Sequence, residues 1–205
     1  MTSIIDVITS VYYADLNEEQ KEKAIEIMRD IENQDTTPYW AENITDNWKT
    51  DLNESYGITD AQIEWSGFCS QGDGASISTE YYIDLEKFLR KMKVWSKYRV
   101  LHRIIADKEI HAKVNRGSSR YCHENTVSGS VELDYNIDFT DKQVLASEVL
   151  EEFLTDTIRD LSRQVYKELD NENDYQQSDE ALWSTIEANE YEYKVNQAGE
   201  VLGLA

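Results

Sequence analysis

Residues 65–77 read Trp-Ser-Gly-Phe-Cys-Ser-Gln-Gly-Asp-Gly-Ala-Ser-Ile. Three of the chain's eight glycines fall within eight residues here, beside an acid, an amide, a thiol and two aromatic rings. Gly72-Asp73-Gly74 can turn the chain sharply, because glycine accepts positive φ and lets another backbone come close. Successive N–H groups in such a turn can cradle an anion. No Gly-Lys-Ser/Thr follows, as a phosphate loop needs, the dinucleotide spacing is absent, and Asp73 would oppose an anion. A second group is Tyr121-Cys122-His123-Glu124-Asn125. If the two meet, Cys69, Cys122 or His123, and Asp73 could hold zinc or pair a thiol with an imidazole as a nucleophile. Neither has short-range ligand spacing, and on a strand Cys122 and His123 would face opposite ways. A buried free cysteine is the commoner state. The ligand-contacting set is therefore Trp65, Ser66, Gln71, Asp73, His123 and Glu124, with no catalytic residue, metal or cofactor assigned. The competing reading is a backbone corner that seats Trp65, Phe68 and Cys69 in the core.

Charge is the stronger signal. The 205 residues carry 41 acids against 20 bases, a net charge of -21. Such an excess repels nucleic acid and anionic membrane and attracts basic surfaces. It is unevenly spread. Residues 1–85 hold 18 acids and 4 bases, 86–120 hold 3 acids and 11 bases, and 121–205 hold 20 acids and 5 bases. Glu148, Glu152, Asp156 and Asp160 recur every fourth residue. On a helix they form a ridge with steps of about 6 Å, loosely like the regular charge of a nucleic-acid backbone. Glu168, Asp170, Glu172 and Asp174 extend the acidic set. Two plainer readings compete: a solvated helix face, or a ridge packed beside the basic segment.

These groups need elements to carry them. One proline and few glycines favour long helices, and 11% aromatic residues argue for a folded chain. Residues 3–13 are β-rich and fit a strand or a short helix; the helical spacing of Ile4, Val7, Ile8 and Val11 favours the helix. Asn17 with Gln20 predicts a capping box, opening a helix that ends near Asn33. Pro38 starts a second helix that stops before Gly57. Gln62–Trp65 predicts a strand, and Ile77 begins another. Leu85 through Ile105 predicts one basic amphipathic helix of some 20 residues. Glu109–Val114, Tyr121–Thr126 and Ser128–Asn136 predict strands. From Asp141 a helix runs for some 30 residues, Ser178 caps a shorter one, and 191–202 predicts a hairpin. The expectation is α+β: long helices packed on a small antiparallel sheet, one domain over 1–205. No apolar run approaches the 18 residues of a span, and no charged-then-apolar leader opens the chain. With two cysteines, a cytoplasmic protein without membrane contact is expected.

Ser66-Gly67-Phe68-Cys69-Ser70-Gln71-Gly72-Asp73-Gly74-Ala75 and Tyr121-Cys122-His123-Glu124-Asn125 resemble a family of small acidic bacteriophage-encoded proteins. Its members carry Ser-Gly-Phe-x-Ser-Gln-Gly-Asp-Gly-Ala after a strand and then a His-Glu-Asn-like segment. An acidic helix and an ending like Asn189-Glu190-Tyr191-Glu192-Tyr193 follow. The resemblance spans residues 58–202 and leaves 1–57 outside. It implies a phage or prophage context in a bacterial cytoplasm and implies no activity. Joined to the charge, it leads to an expected function: a non-enzymatic inhibitor of a basic, nucleic-acid-handling host protein, such as a restriction or CRISPR enzyme. The acids would replace phosphates, with no direct nucleic-acid contact. The alternatives are a ligand-binding or enzymatic protein built on the glycine-rich loop, and a homo-oligomer pairing the basic helix of one chain with the acidic helix of another.

Overall fold

The computed structural model describes residues 8–33, 38–68, 70–118 and 120–205. In chain order the elements are β1 (Thr9–Tyr12), α1 (Glu18–Glu32), α2 (Tyr39–Tyr56), β2 (Gln62–Ser66), β3 (Gly74–Ser78), α3 (Leu85–Lys91), α4 (His102–Ala106), β4 (Ile110–Arg116), β5 (Val127–Leu133), α5 (Asp141–Gln176), α6 (Asp179–Ala188), β6 (Glu192–Val195) and β7 (Val201–Leu204). The fold is α+β. The sequence shows no linker, yet two compact units form: a central one of residues 39–170, and a flanking one of residues 1–38 with 171–205.

The flanking unit follows its local signals closely. Asn17 accepts the Gln20 N–H at 3.0 Å and Gln20 Oε1 accepts the Asn17 N–H at 2.9 Å, the capping box that starts α1. Ser178 accepts the Ala181 N–H at 3.2 Å and starts α6. The β6–β7 hairpin forms as its turn residues predict, and β1 adds to β6 antiparallel, from Thr9↔Val195 to Tyr12↔Glu192. Leu16, Ala24, Met28, Leu182, Ile186, Tyr193, Val195 and Val201 make its core. The expected N-terminal helix is corrected over 9–12, which is strand; residues 1–7 lie outside the described residues. Thr9 and Val11 are β-branched, and pairing with β6 outweighs a helical spacing of four apolar residues.

In the central unit, β2 and β3 pair from Gln62↔Ser78 to Ser66↔Gly74, and β4 and β5 pair from Ile110↔Leu133 to Arg116↔Val127. These two-stranded sheets, with the separate β1–β6–β7 sheet, replace the single small sheet the sequence suggests. Thr79 links them: its N–H donates to the Val114 carbonyl and its hydroxyl accepts the Val114 N–H, both at 3.0 Å.

Helix α5 organises this unit. Leu150, Leu154, Ile158, Leu161, Val165 and Leu169 are buried along one stripe. Each such side chain contributes about 1.5–3 kcal/mol on leaving water. Beside the stripe, polar side chains do the work of a missing strand. Glu151 accepts the Val131 N–H at 2.8 Å, Thr155 accepts the Gly129 N–H at 2.9 Å, and Arg159 Nε donates to the Val127 carbonyl at 3.2 Å. Four helical residues advance about 6 Å and two strand residues about 6.6 Å, so an i, i+4, i+8 set meets alternate groups of the β5 edge. Ser162, fully buried, accepts the Ile77 N–H of β3 at 3.2 Å. The edges are thereby satisfied and closed to other strands.

The expected basic helix over 85–105 is also corrected. It breaks into α3, a 3₁₀ stretch over Trp95–Leu101 and α4, with Lys93 at φ 60 and Tyr98 non-helical. The reason is packing. Phe88 and Tyr98 both lie against Phe153, at 6.3 and 6.2 Å between centroids. An unbroken helix would hold them about 15 Å apart.

Candidate functional site

The glycine-rich stretch is a corner closing the β2–β3 hairpin. Asp73 is its keystone: one carboxylate oxygen accepts the Ser70 N–H, and the other accepts the Ser70 hydroxyl at 2.9 Å, with the Ser66 hydroxyl at 3.5 Å. The Asp73 N–H returns to the Ser70 carbonyl at 3.1 Å. Gln71 is exposed at the tip, and Cys69 lies outside the described residues.

Residues 121–126, expected as a strand, are instead part of the loop that closes the β4–β5 hairpin, where the Gly117 N–H meets the Thr126 carbonyl at 2.8 Å. His123 caps a 3₁₀ turn, its Nδ1 accepting the Asn125 N–H at 3.2 Å, and its carbonyl accepts the Thr126 hydroxyl at 2.7 Å. Glu124 accepts the Asn125 side-chain amide at 3.2 Å. This loop lies directly on the corner. A methyl group at Gly74 would stand 2.6 Å from His123 Cβ and 2.9 Å from the Cys122 carbonyl, and one at Gly72 would stand 2.7 Å from the Tyr121 ring. The two motifs therefore do meet, and glycine is required because backbone meets backbone there.

What they bring together is packing. Ser66, Asp73, His123 and Glu124 each spend polar atoms on the local turns. Trp65 points into a half-buried aromatic group, with Phe68 at 5.5 Å and Trp40 at 6.4 Å, and Phe68 stacks on Tyr166 at 5.8 Å. Cys122 is a free thiol whose sulfur lies 3.5 Å from Arg116 Nη1, and Arg116 also pairs with Glu64. Among the described residues no three His, Cys, Asp or Glu side chains gather closely enough to hold a metal ion.

The acids of α5 divide. Glu148, Glu152, Asp156 and Asp160 are all exposed. Asp160 pairs with Arg163, while Arg159, three residues from Asp156, is taken by the Val127 carbonyl. Leu145 and Val149 lie exposed beside Glu148, at 61% and 39%. Glu168 is committed, accepting Trp48 Nε1 at 2.7 Å. Glu172 accepts the Gln176 amide at 2.8 Å, Asp170 is half-buried and Asp174 is exposed. Glu172 and Asp174 belong to the flanking unit's part of the helix.

The basic segment finds its own partners elsewhere. Arg90 pairs with Glu86, Arg103 with Asp107, Arg116 with Glu64, and Lys91 reaches Asp51 at 4.0 Å. Arg90 also covers the Trp95 ring at 4.8 Å, and His102 stacks on the same indole at 3.8 Å. Among the described residues no base of 86–120 pairs with a ridge acid, so the ridge stays on the surface. The residues missed from sequence are Glu151, Thr155, Arg159 and Ser162. For the first three the visible signal is a four-residue polar repeat flanking an apolar stripe; Ser162 falls outside it.

No curated protein and no solved structure matches the chain. A family of domains of unknown function, DUF8835, matches residues 40–179. That span takes in the corner, its covering loop, the basic segment and α5 as far as the start of α6, so the chain belongs to the DUF8835 family.

Proposed function

We propose that the chain is a non-enzymatic, phage-encoded inhibitor that binds a basic, nucleic-acid-handling protein of its bacterial host, in the host cytoplasm. The outer edge of α5 stands in for phosphates. One observation carries the reading: four acids at four-residue spacing stay exposed and, among the described residues, only Asp160 of them is paired, while neighbouring polar residues of the same helix are spent on strand edges. Like charges at this spacing cost about 0.2–0.5 kcal/mol per pair, so the row is kept against helix stability. Its steps of about 6 Å match roughly every second phosphate of one DNA strand, whose rise is about 3.4 Å per residue. Exposed Leu145 and Val149 add apolar contact, which suits a protein partner. The binding face narrows to Glu148, Glu152, Asp156 and Asp160.

The test compares capture from bacterial lysate at low salt by the wild type and by Glu148→Gln/Glu152→Gln/Asp156→Asn. The expected result is a heparin-binding protein held by the wild type alone and released progressively by salt, as charge-steered contacts are. Equal capture by both, or no capture by either, overturns the reading.

A further inference from the structure

The flanking unit holds a groove of about 620 Å³ that the α5 reading does not use. Its walls include Tyr12 at the end of β1, Tyr13 just after it, Trp183 and Glu187 on α6, and Glu190 and Tyr191 before β6. Tyr12 and Trp183 are 51% and 45% exposed, large ring surfaces left in water in a small unit. The walls are tied together. The Tyr13 N–H donates to the Tyr191 carbonyl at 3.4 Å, and the Tyr13 ring packs at 6.3 Å against buried Tyr193. Glu190 sits at φ 52, a backbone shape that disfavours a glutamate. It is held there where α6 ends, by its own N–H on the Glu187 carbonyl and the Tyr191 N–H on the Ile186 carbonyl, each at 3.2 Å.

The electrostatics of the groove point one way. A hydrogen bond to Glu192 and its charge, then burial and, last, the charge of Glu190, hold the Tyr12 phenol above its ordinary range, so carboxylates stand beside this ring. Lys21, the base in the lining, is engaged by Glu18 at 3.2 Å. Glu187 and Glu190 are left as the net charge of the walls. Ring faces carry negative charge density and attract cations. A guanidinium stacks flat on a ring while its fork meets a carboxylate. The lining lies wholly outside the matched span of 40–179.

We propose that this groove binds an arginine side chain on a basic polypeptide, with Trp183 and Tyr12 supplying ring faces and Glu187 and Glu190 the countercharge. The probe is a fluorescein-labelled Gly-Arg-Gly-Arg-Gly peptide, with a citrulline version of the same shape and no charge, measured by anisotropy at physiological salt. Trp183→Leu, which keeps every charge, weakens the arginine peptide about two- to thirtyfold, and Trp183→Phe restores much of that. Glu187→Gln/Glu190→Gly also weakens it, and citrulline removes most of the binding. Glu42→Gln, at an exposed acid of α2 outside both proposed surfaces, leaves it unchanged, and a loss confined to the groove variants is distinct from failure of the α5 reading. Absent binding of the arginine peptide, equal affinity for both peptides, full affinity in Trp183→Leu, or uptake of a neutral oligosaccharide in its place overturns the proposal.

Discussion

Replacing Gly74 by Ala isolates the contact between the two motifs. The added methyl would lie 2.6 Å from His123 Cβ, 2.8 Å from His123 Cα and 2.9 Å from the Cys122 carbonyl oxygen. Carbon contacts settle at about 3.5–4.0 Å, so the backbone of the covering loop must retreat by roughly 1 Å. That loop is held by the His123 cap and by the Gly117–Thr126 closure of the hairpin, and it cannot retreat without disturbing them. Overpacking of this kind costs about 1–3 kcal/mol. For 150–250 residues each kcal/mol lowers the melting temperature by about 2–4 °C. The control is Gly117→Ala in the same loop, where the nearest atom would lie at 3.6 Å, an ordinary contact. There alanine restricts the unfolded chain and gains about 0.4–1 kcal/mol. Thermal unfolding followed by circular dichroism should separate the two variants in opposite directions from the wild type. If Gly74→Ala melts with the wild type, or Gly117→Ala falls as far, backbone contact is not what the glycine serves.

Glu152→Gln removes two like-charge pairs on α5 and should raise the melting temperature, by roughly 0.2–0.5 kcal/mol of stability per pair; a drop would mean that Glu152 is paired in solution. Thr155→Val keeps the shape but strands the Gly129 N–H, and should cost about 1–3 kcal/mol in a denaturant titration. Tyr193 is buried and, among the described residues, its hydroxyl has no partner, so Tyr193→Phe should be neutral or stabilising. Burial, with Tyr13 and Tyr191 beside it, pushes the Tyr193 phenol up from 10.0 to about 12. Its neutral form is the one the fold favours. Its contribution is therefore complete below pH 10 and lost as pH rises towards 12, and phenolate absorbance should appear together with unfolding of the flanking unit. Tyr193→Phe should shift that alkaline transition upward.

Local signals carried much of the fold. Asn17 with Gln20, Ser178, and the turn residues before β7 specify their structures through neighbours three or four positions away, and these are legible in any sequence. The breaks at Lys93 and Tyr98 were not, because they serve a shared contact on Phe153 from a distant helix. The strand at Thr9–Tyr12 depends on β6, almost the whole chain away. Residues 121–126 read as a strand, yet they close as a local turn, with the Asn125 N–H on His123 Nδ1 at 3.2 Å and the Thr126 N–H on the His123 carbonyl at 2.9 Å. For the site, four-residue spacing made the α5 ridge legible, but its exposure was not, since a ridge packed beside the basic segment fitted the same sequence. The difference between Glu148, which stays exposed, and Glu168, which holds Trp48, was not legible either. Both are acids on one helix, and only tertiary contact distinguishes them. The strand-capping roles of Glu151 and Thr155 were hidden for the same reason.

If α5 occupies a surface made for nucleic acid, the chain and DNA must compete for the same partner. A protein captured through α5 is titrated with labelled duplex DNA in the presence of this chain, at several salt concentrations. Mutual exclusion is expected: the chain displaces the DNA, its potency falls steeply with salt, and Glu148→Gln/Glu152→Gln/Asp156→Asn displaces none. A stable ternary complex, or displacement that persists in the triple variant, would contradict it.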